Sequence, residues 1–242
     1  MKFFYALFVC CFLFISCKKE GELSIKIENI PLEKCNDCPK VTISVPVVED
    51  NDAINTEIEK AVVSILSYGE LNDATTYQEA VTAFNNEYLD LKKEFPEDLL
   101  EYEAMVDGNV TYETPILLCV KLNSYLYTGG AHGYNAITFL NFDKRTGERL
   151  ENWELFNNID AFAAFAEKKF RIQEKIPANS SINATGFMFD GEAFSLPDAI
   201  GFSNDGIVLL YNQYEIASYA DGQKTLVIPY NEITAFFKYN SQ

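Results

Sequence analysis

The chain has 242 residues and a formal net charge of −17, with 36 acidic residues against 19 basic ones. So acidic a surface repels phosphate backbones, which excludes nucleic acid as a partner and favours a basic protein instead. The length suits one large domain or two small ones, and a core of that size forms without staples.

The N-terminus reads as an address. Lys2 precedes an apolar run, Phe3 to Ile15, that is too short for a comfortable membrane span. Ser16-Cys17 follows at once, the pattern of a bacterial lipoprotein signal. The expected processing removes residues 1–16 and places acyl chains on Cys17, with residues 17–40 as attachment and tether. Several acyl chains hold a protein at a membrane where one is marginal. The alternative is an ordinary cleaved signal with an incidental cysteine. The expected location is exported and membrane-anchored, in the periplasm or at the cell surface. In such an oxidising compartment Cys35-Asn-Asp-Cys38 is expected to form a local disulfide. A redox thiol pair or half a zinc site is the other reading, but no second CxxC and no second histidine complete a metal set. Cys119 lies in an apolar run and reads as a small core residue.

Leu23 to Ile27 alternates and could open the first strand. Val41, Ile43, Val45 and Val47 alternate with Thr42, Ser44 and Pro46, a half-buried strand that Pro46 places at an edge. Ile54, Ile58, Ala61, Val62, Ile65 and Leu66 mark one helix face behind an Asn51-Asp52 cap. A second stripe runs from Tyr77 to Phe95, opened by a Thr76/Glu79 capping box and ended by Pro96. Strands follow: Tyr102 to Tyr112 with a turn or bulge signal at Asp107-Gly108, then Ile116 to Tyr127, then Ala136 to Phe142. Asp143 to Gly147 reads as a turn. A third helix is capped near Asn158 or Asp160, with Phe162, Phe165, Ala166, Ile172 and Ile176 as its apolar face. The last third holds a short strand at Gly186 to Phe189, a hairpin around Asn204-Asp-Gly206, a strand from Lys224 and a terminal turn capped by Asn231. Runs of strands and helices, not strict alternation, favour an α+β fold: a largely antiparallel sheet with helices packed on it. The domain spans 41–238, in sub-parts 41–143 and 144–238.

The stretch Tyr125-Leu-Tyr-Thr-Gly-Gly-Ala-His-Gly-Tyr-Asn135 holds the single histidine of the chain and three of its 12 glycines. It reads as a shaped turn between two strands. With Asn141-Phe-Asp143, Thr146-Gly147, Leu155-Phe156, Tyr211 to Ala220 and Ile228-Pro-Tyr230, it resembles a domain family of unknown function. That family includes the extracytoplasmic part of RsiV-type anti-sigma factors and the N-terminal region of PdaC-type peptidoglycan deacetylases. The resemblance covers roughly Val41 to Phe237. It implies an envelope-binding domain, not a catalyst: in RsiV the domain binds lysozyme, and in PdaC the deacetylase chemistry belongs to another domain.

The candidate binding residues are Tyr125, Tyr127, Gly129, Gly130, His132, Tyr134 and Asn135 in the turn, and Tyr211, Tyr214, Glu215 and Tyr219 in the late segment. Tyrosines suit sugar stacking and protein contacts, or else they cover a core. His132 could be a general base, a metal ligand or a ligand contact, or could lock the turn by bonding backbone carbonyls. No Gly-x-Ser-x-Gly elbow accompanies it, no carboxylate pair stands out, and no EF-hand loop or histidine cluster suggests a metal or cofactor. The first expectation is a lipid-anchored, non-enzymatic envelope protein that binds peptidoglycan fragments or a basic lysozyme-type protein. The alternatives are an envelope glycan hydrolase using acidic residues, with His132 in support, and a purely structural lipoprotein.

Overall fold

A computed structural model describes residues 23–68, 73–97 and 100–239. The signal segment and Cys17 lie outside the described residues. The fold is α+β in two sub-parts, with the strands divided between two sheets.

The larger sheet has six strands in sequence order: β1 (Ile25–Asn29), β2 (Lys40–Val48), β3 (Glu103–Glu113), β4 (Leu117–Tyr127), β5 (Tyr134–Asp143) and β6 (Arg149–Leu150). All neighbours are antiparallel except β2 and β3. That parallel pair needs a long crossover, which α1 (Asp52–Leu66) and α2 (Tyr77–Glu94) supply. The expected caps form. The Asn51 side chain accepts from the Ile54 N–H, and Thr76 and Glu79 close a capping box. Residues 25–29, inside the stretch read as tether, pair with β2. Cys35 and Cys38 are joined by a disulfide.

Two local expectations are corrected here. Pro46 is not on an edge strand, because β1 covers β2. Its missing N–H costs nothing, since β2 pairs with β3 only as far as Ser44. Asp107-Gly108 is no turn but mid-strand. A Cβ on Gly108 would lie 2.7 Å from Pro46 Cδ, so the glycine admits the proline ring. The bulge falls later, between Val110 and Tyr112.

The second sub-part contains α3 (Ile159–Gln173), a three-stranded antiparallel sheet of β7 (Ala199–Ser203), β8 (Gly206–Tyr211) and β9 (Lys224–Ile228), and a short α4 (Tyr230–Ile233). The Asn204-Asp205 hairpin forms as expected, and Asn158 caps α3. Three expectations fail. Residues 187–189 form no strand and are held by Asn183, which bonds both the N–H and the C=O of Phe189. Ile172 is 75% exposed while Phe170 is buried, because the apolar stripe of α3 turns toward Phe187, Phe189 and Tyr211. Pro229, not Asn231, precedes α4, with no side-chain cap.

Alternation along β4 and β5 divides the core. Leu118, Val120, Leu122, Leu140 and Phe142 pack with α1 and α2, while Leu117, Cys119 and Phe139 pack with the second sub-part. The small sheet meets the large one through β7. Asn141 Nδ2 donates to Ile200 O at 2.8 Å, and Phe202 N–H donates to Cys119 Sγ at 3.3 Å. Side chains of the large sheet thereby cap the outer edge of β7. A Cβ on Gly201 would fall 2.1 Å from the Phe139 ring, so only glycine lets the sheets close. Cys119 is fully buried, as a core residue should be, and burial pushes its thiol pKa up to about 11, which leaves it an inert thiol at neutral pH.

Candidate functional site

The turn between β4 and β5 is built from its glycines. Gly129 and Gly130 have φ of +93° and +87°, and a methyl group added at either would meet nothing within 4 Å, so conformation alone demands glycine there. Gly133 is different: a Cβ would sit 2.3 Å from the Tyr125 ring, so close approach demands it. Tyr127 Oη donates to Gly130 O at 3.0 Å. His132 Nδ1 lies 3.0 Å from Gly133 O, which requires the proton on Nδ1 and leaves Nε2 free to accept in the neutral ring.

The late segment comes to this turn from the other sub-part. Asn212, just past β8, bonds both the N–H (2.8 Å) and the C=O (3.0 Å) of Ile137. It thereby mimics a strand neighbour and docks the loop on β5. Tyr134 Oη donates to Gln213 O, and Tyr219 Oη donates to Gly133 O. The Tyr219 ring stacks on the His132 imidazole at 3.7 Å between centroids, and Tyr214 lies 5.5 Å from Tyr219. His132, Tyr219 and Tyr214 thus form a row of neighbouring rings, the first pair stacked and the second tilted at 38°, with Tyr134 tied to the same loop. Tyr134 is 39% exposed and Tyr214 57%. Tyr214 also has a φ of +68°, a left-handed backbone that a bulky residue resists.

The other candidate residues divide. Tyr125 supports the turn through Gly133, and Asn135 is exposed in register opposite Tyr125. Tyr211 leaves the candidate surface. It is fully buried, donates to Ser195 O at 2.7 Å and meets Phe170 and Phe189 edge-on, because its position on β8 faces the aromatic core. Glu215 accepts the backbone N–H groups of Asn212 and Asp198, so both its oxygens close the loop. Loss of surrounding water holds its pKa above the usual carboxylate range, against those hydrogen bonds. Sequence reading passed over Asn212 and Gln213, although both adjoin the tyrosines it singled out. An amide directly after a strand end was the available signal. Gln213 Oε1 is buried with no hydrogen-bond donor among the described residues. Among the described residues no group of three or more His, Cys, Asp or Glu side chains could hold a metal ion, and no helix is long and apolar enough to cross a membrane. The site offers ring faces, hydroxyl edges and one imidazole.

Fold and site together define an α+β domain whose aromatic surface is assembled from both sub-parts. Residues 32–135 match the family model described as Deacetylase PdaC, and residues 153–231 match that of a protein of unknown function, DUF3298. The resemblance read from the motifs is thus shown. The turn closes the first matched region and the late tyrosines lie in the second. Among solved structures, a DUF3298-family protein of Bacteroides fragilis NCTC 9343 is similar at 22% identity, with a TM-score of 0.68, over 92% of this chain and 96% of its own. A DUF3298-family protein of Pseudomonas aeruginosa PAO1 is similar at 21% identity, with a TM-score of 0.67, over 91% and 96%. At these identities they share the fold. No curated protein matches the chain.

Proposed function

We propose that the protein is a lipid-anchored cell-envelope binding protein, held through Cys17, whose aromatic surface recognises peptidoglycan fragments or a lysozyme-type basic protein. The observation that carries this reading is the row of rings His132, Tyr219 and Tyr214, with Tyr214 exposed on a left-handed backbone. The net charge of −17 adds attraction for a basic partner, as steering and not as specificity. The apolar N-terminal run ending at Ser16-Cys17 supports the anchor.

The test is a pull-down of the full chain against purified peptidoglycan and against c-type lysozyme, with salt varied to remove nonspecific attraction between acidic and basic surfaces. Binding to one of them that survives high salt is expected. Tyr214→Asn should weaken it at least tenfold while leaving the melting temperature unchanged or raised, since asparagine tolerates the left-handed backbone. Retention of neither ligand at high salt would overturn the reading.

A further inference from the structure

A second feature lies on the opposite face of the same hairpin. Between the C-terminal end of α1 and the tips of β4 and β5 is a pocket of about 320 Å³, at the small end of the range for ligand sites. Ile65, Leu126 and Ala136 give it an apolar lining, and Ser124 and Thr138 add hydroxyls. Tyr68 closes it from the helix side and Tyr134 from the strand side. Among the described residues no charged side chain lines it, in a chain whose formal charge is −17.

Tyr68 is placed there against its backbone preference. It follows Ser67, the cap of α1, at a φ of +54°, where a helix ordinarily ends in glycine or asparagine. It is nonetheless a tyrosine, 42% exposed, whose ring also lies against Phe84 of α2 at 6.2 Å between centroids. Among the described residues, two of the six non-glycine positions at positive φ are exposed tyrosines, Tyr68 and Tyr214. Tyr134 joins the two places, since its ring lines the pocket while its hydroxyl reaches Gln213 O in the aromatic loop.

We infer that this pocket is a binding site for one uncharged sugar ring bearing an acetamido group. The uncharged lining among the described residues suits a neutral ligand, because a carboxylate or phosphate would be desolvated there with no partner. Two tyrosines suit the apolar face of a pyranose, the small apolar lining suits the acetamido methyl, and the hydroxyls can exchange hydrogen bonds with the ring substituents. The volume admits one ring, so a longer glycan would leave the pocket past Tyr134 toward Tyr214. The inference rests on the envelope-binding reading and names the ligand class within it.

The probe is the neutral β-1,4-linked tetramer of N-acetylglucosamine, titrated calorimetrically into the full chain. Saturable binding is expected. Tyr68→Asn should weaken it at least tenfold while the protein still unfolds in one cooperative transition, because asparagine suits that backbone and offsets part of the lost ring contact with Phe84. Ala136→Leu, which fills the pocket from the strand side, should do the same, and Trp153→Ala, at an exposed residue outside the pocket lining, should change nothing. Equal binding by wild type, Tyr68→Asn and Ala136→Leu would overturn the pocket and leave the envelope reading standing. Failure of the wild type to bind the tetramer, while peptidoglycan or lysozyme is still retained at high salt, would overturn the sugar site alone. Failure with all three ligands would overturn both.

Discussion

Gly129, Gly130 and Gly133 are close in sequence but answer to different forces. The first two supply backbone angles that other residues resist, and the third admits the Tyr125 ring. Gly130→Val should therefore cost about 1–3 kcal/mol through backbone strain alone, read as a fall of several degrees in melting temperature. An unchanged melting temperature would show that the turn relaxes freely. The run Gly-Gly-Ala-His-Gly announced such a turn, but Tyr68 and Tyr214 had no comparable mark. A tyrosine at positive φ looks like any other tyrosine until its backbone is seen, which is why the pocket could not be read from the residues.

At the level of the element, the hairpin of β5 and β6 shows how a local motif carries charge into the fold. Asp143 is buried and accepts from the Arg145 backbone N–H and Nε, both at 2.9 Å, with a further bond from Nη2. The Arg145 side chain holds the Asp143 pKa below its ordinary value of 3.8, although its own exposure to solvent discounts the ion pair. A lowered carboxylate pKa contributes stability that is fully present above the unfolded value and is lost as pH falls through the folded one. Wild type should thus lose stability relative to Asp143→Asn as pH drops below about 4, measured as the urea midpoint at a series of pH values. A constant difference between the two proteins across that range would contradict the assignment. Helices and their caps were legible because caps are local: Asn51, Thr76, Glu79 and Asn158 act within one turn. Pro46 and Gly108 misled because their meaning is mutual, and they are 62 residues apart in sequence but packed on one another.

The whole molecule depends on joints between its sub-parts, where single polar side chains add to the apolar packing of Leu117, Cys119 and Phe139. Asn141 and Cys119 hold the edge of β7, and Asn212 holds the late loop on β5. Asn212→Ala would strip Ile137 of two hydrogen bonds, at a cost of about 1–3 kcal/mol. The expected result is a lower melting temperature and faster hydrogen exchange at the Ile137 amide. Undiminished protection there would show that the loop docks by other means. Because Tyr214 and Tyr219 ride on that loop, the same variant should loosen the aromatic surface.

Sequence alone determined the α+β class, the order of most elements, the turn and the two segments that meet at the aromatic surface. Hydrophobic period, caps and glycine angles are short-range properties, so they are written where they act. Only tertiary structure decided that Tyr211 is core while Tyr214 is surface, that Glu215 closes a loop, and that Tyr68 faces Tyr134 across a pocket. Those outcomes depend on which distant backbone arrives beside each residue, and residue type carries no record of that.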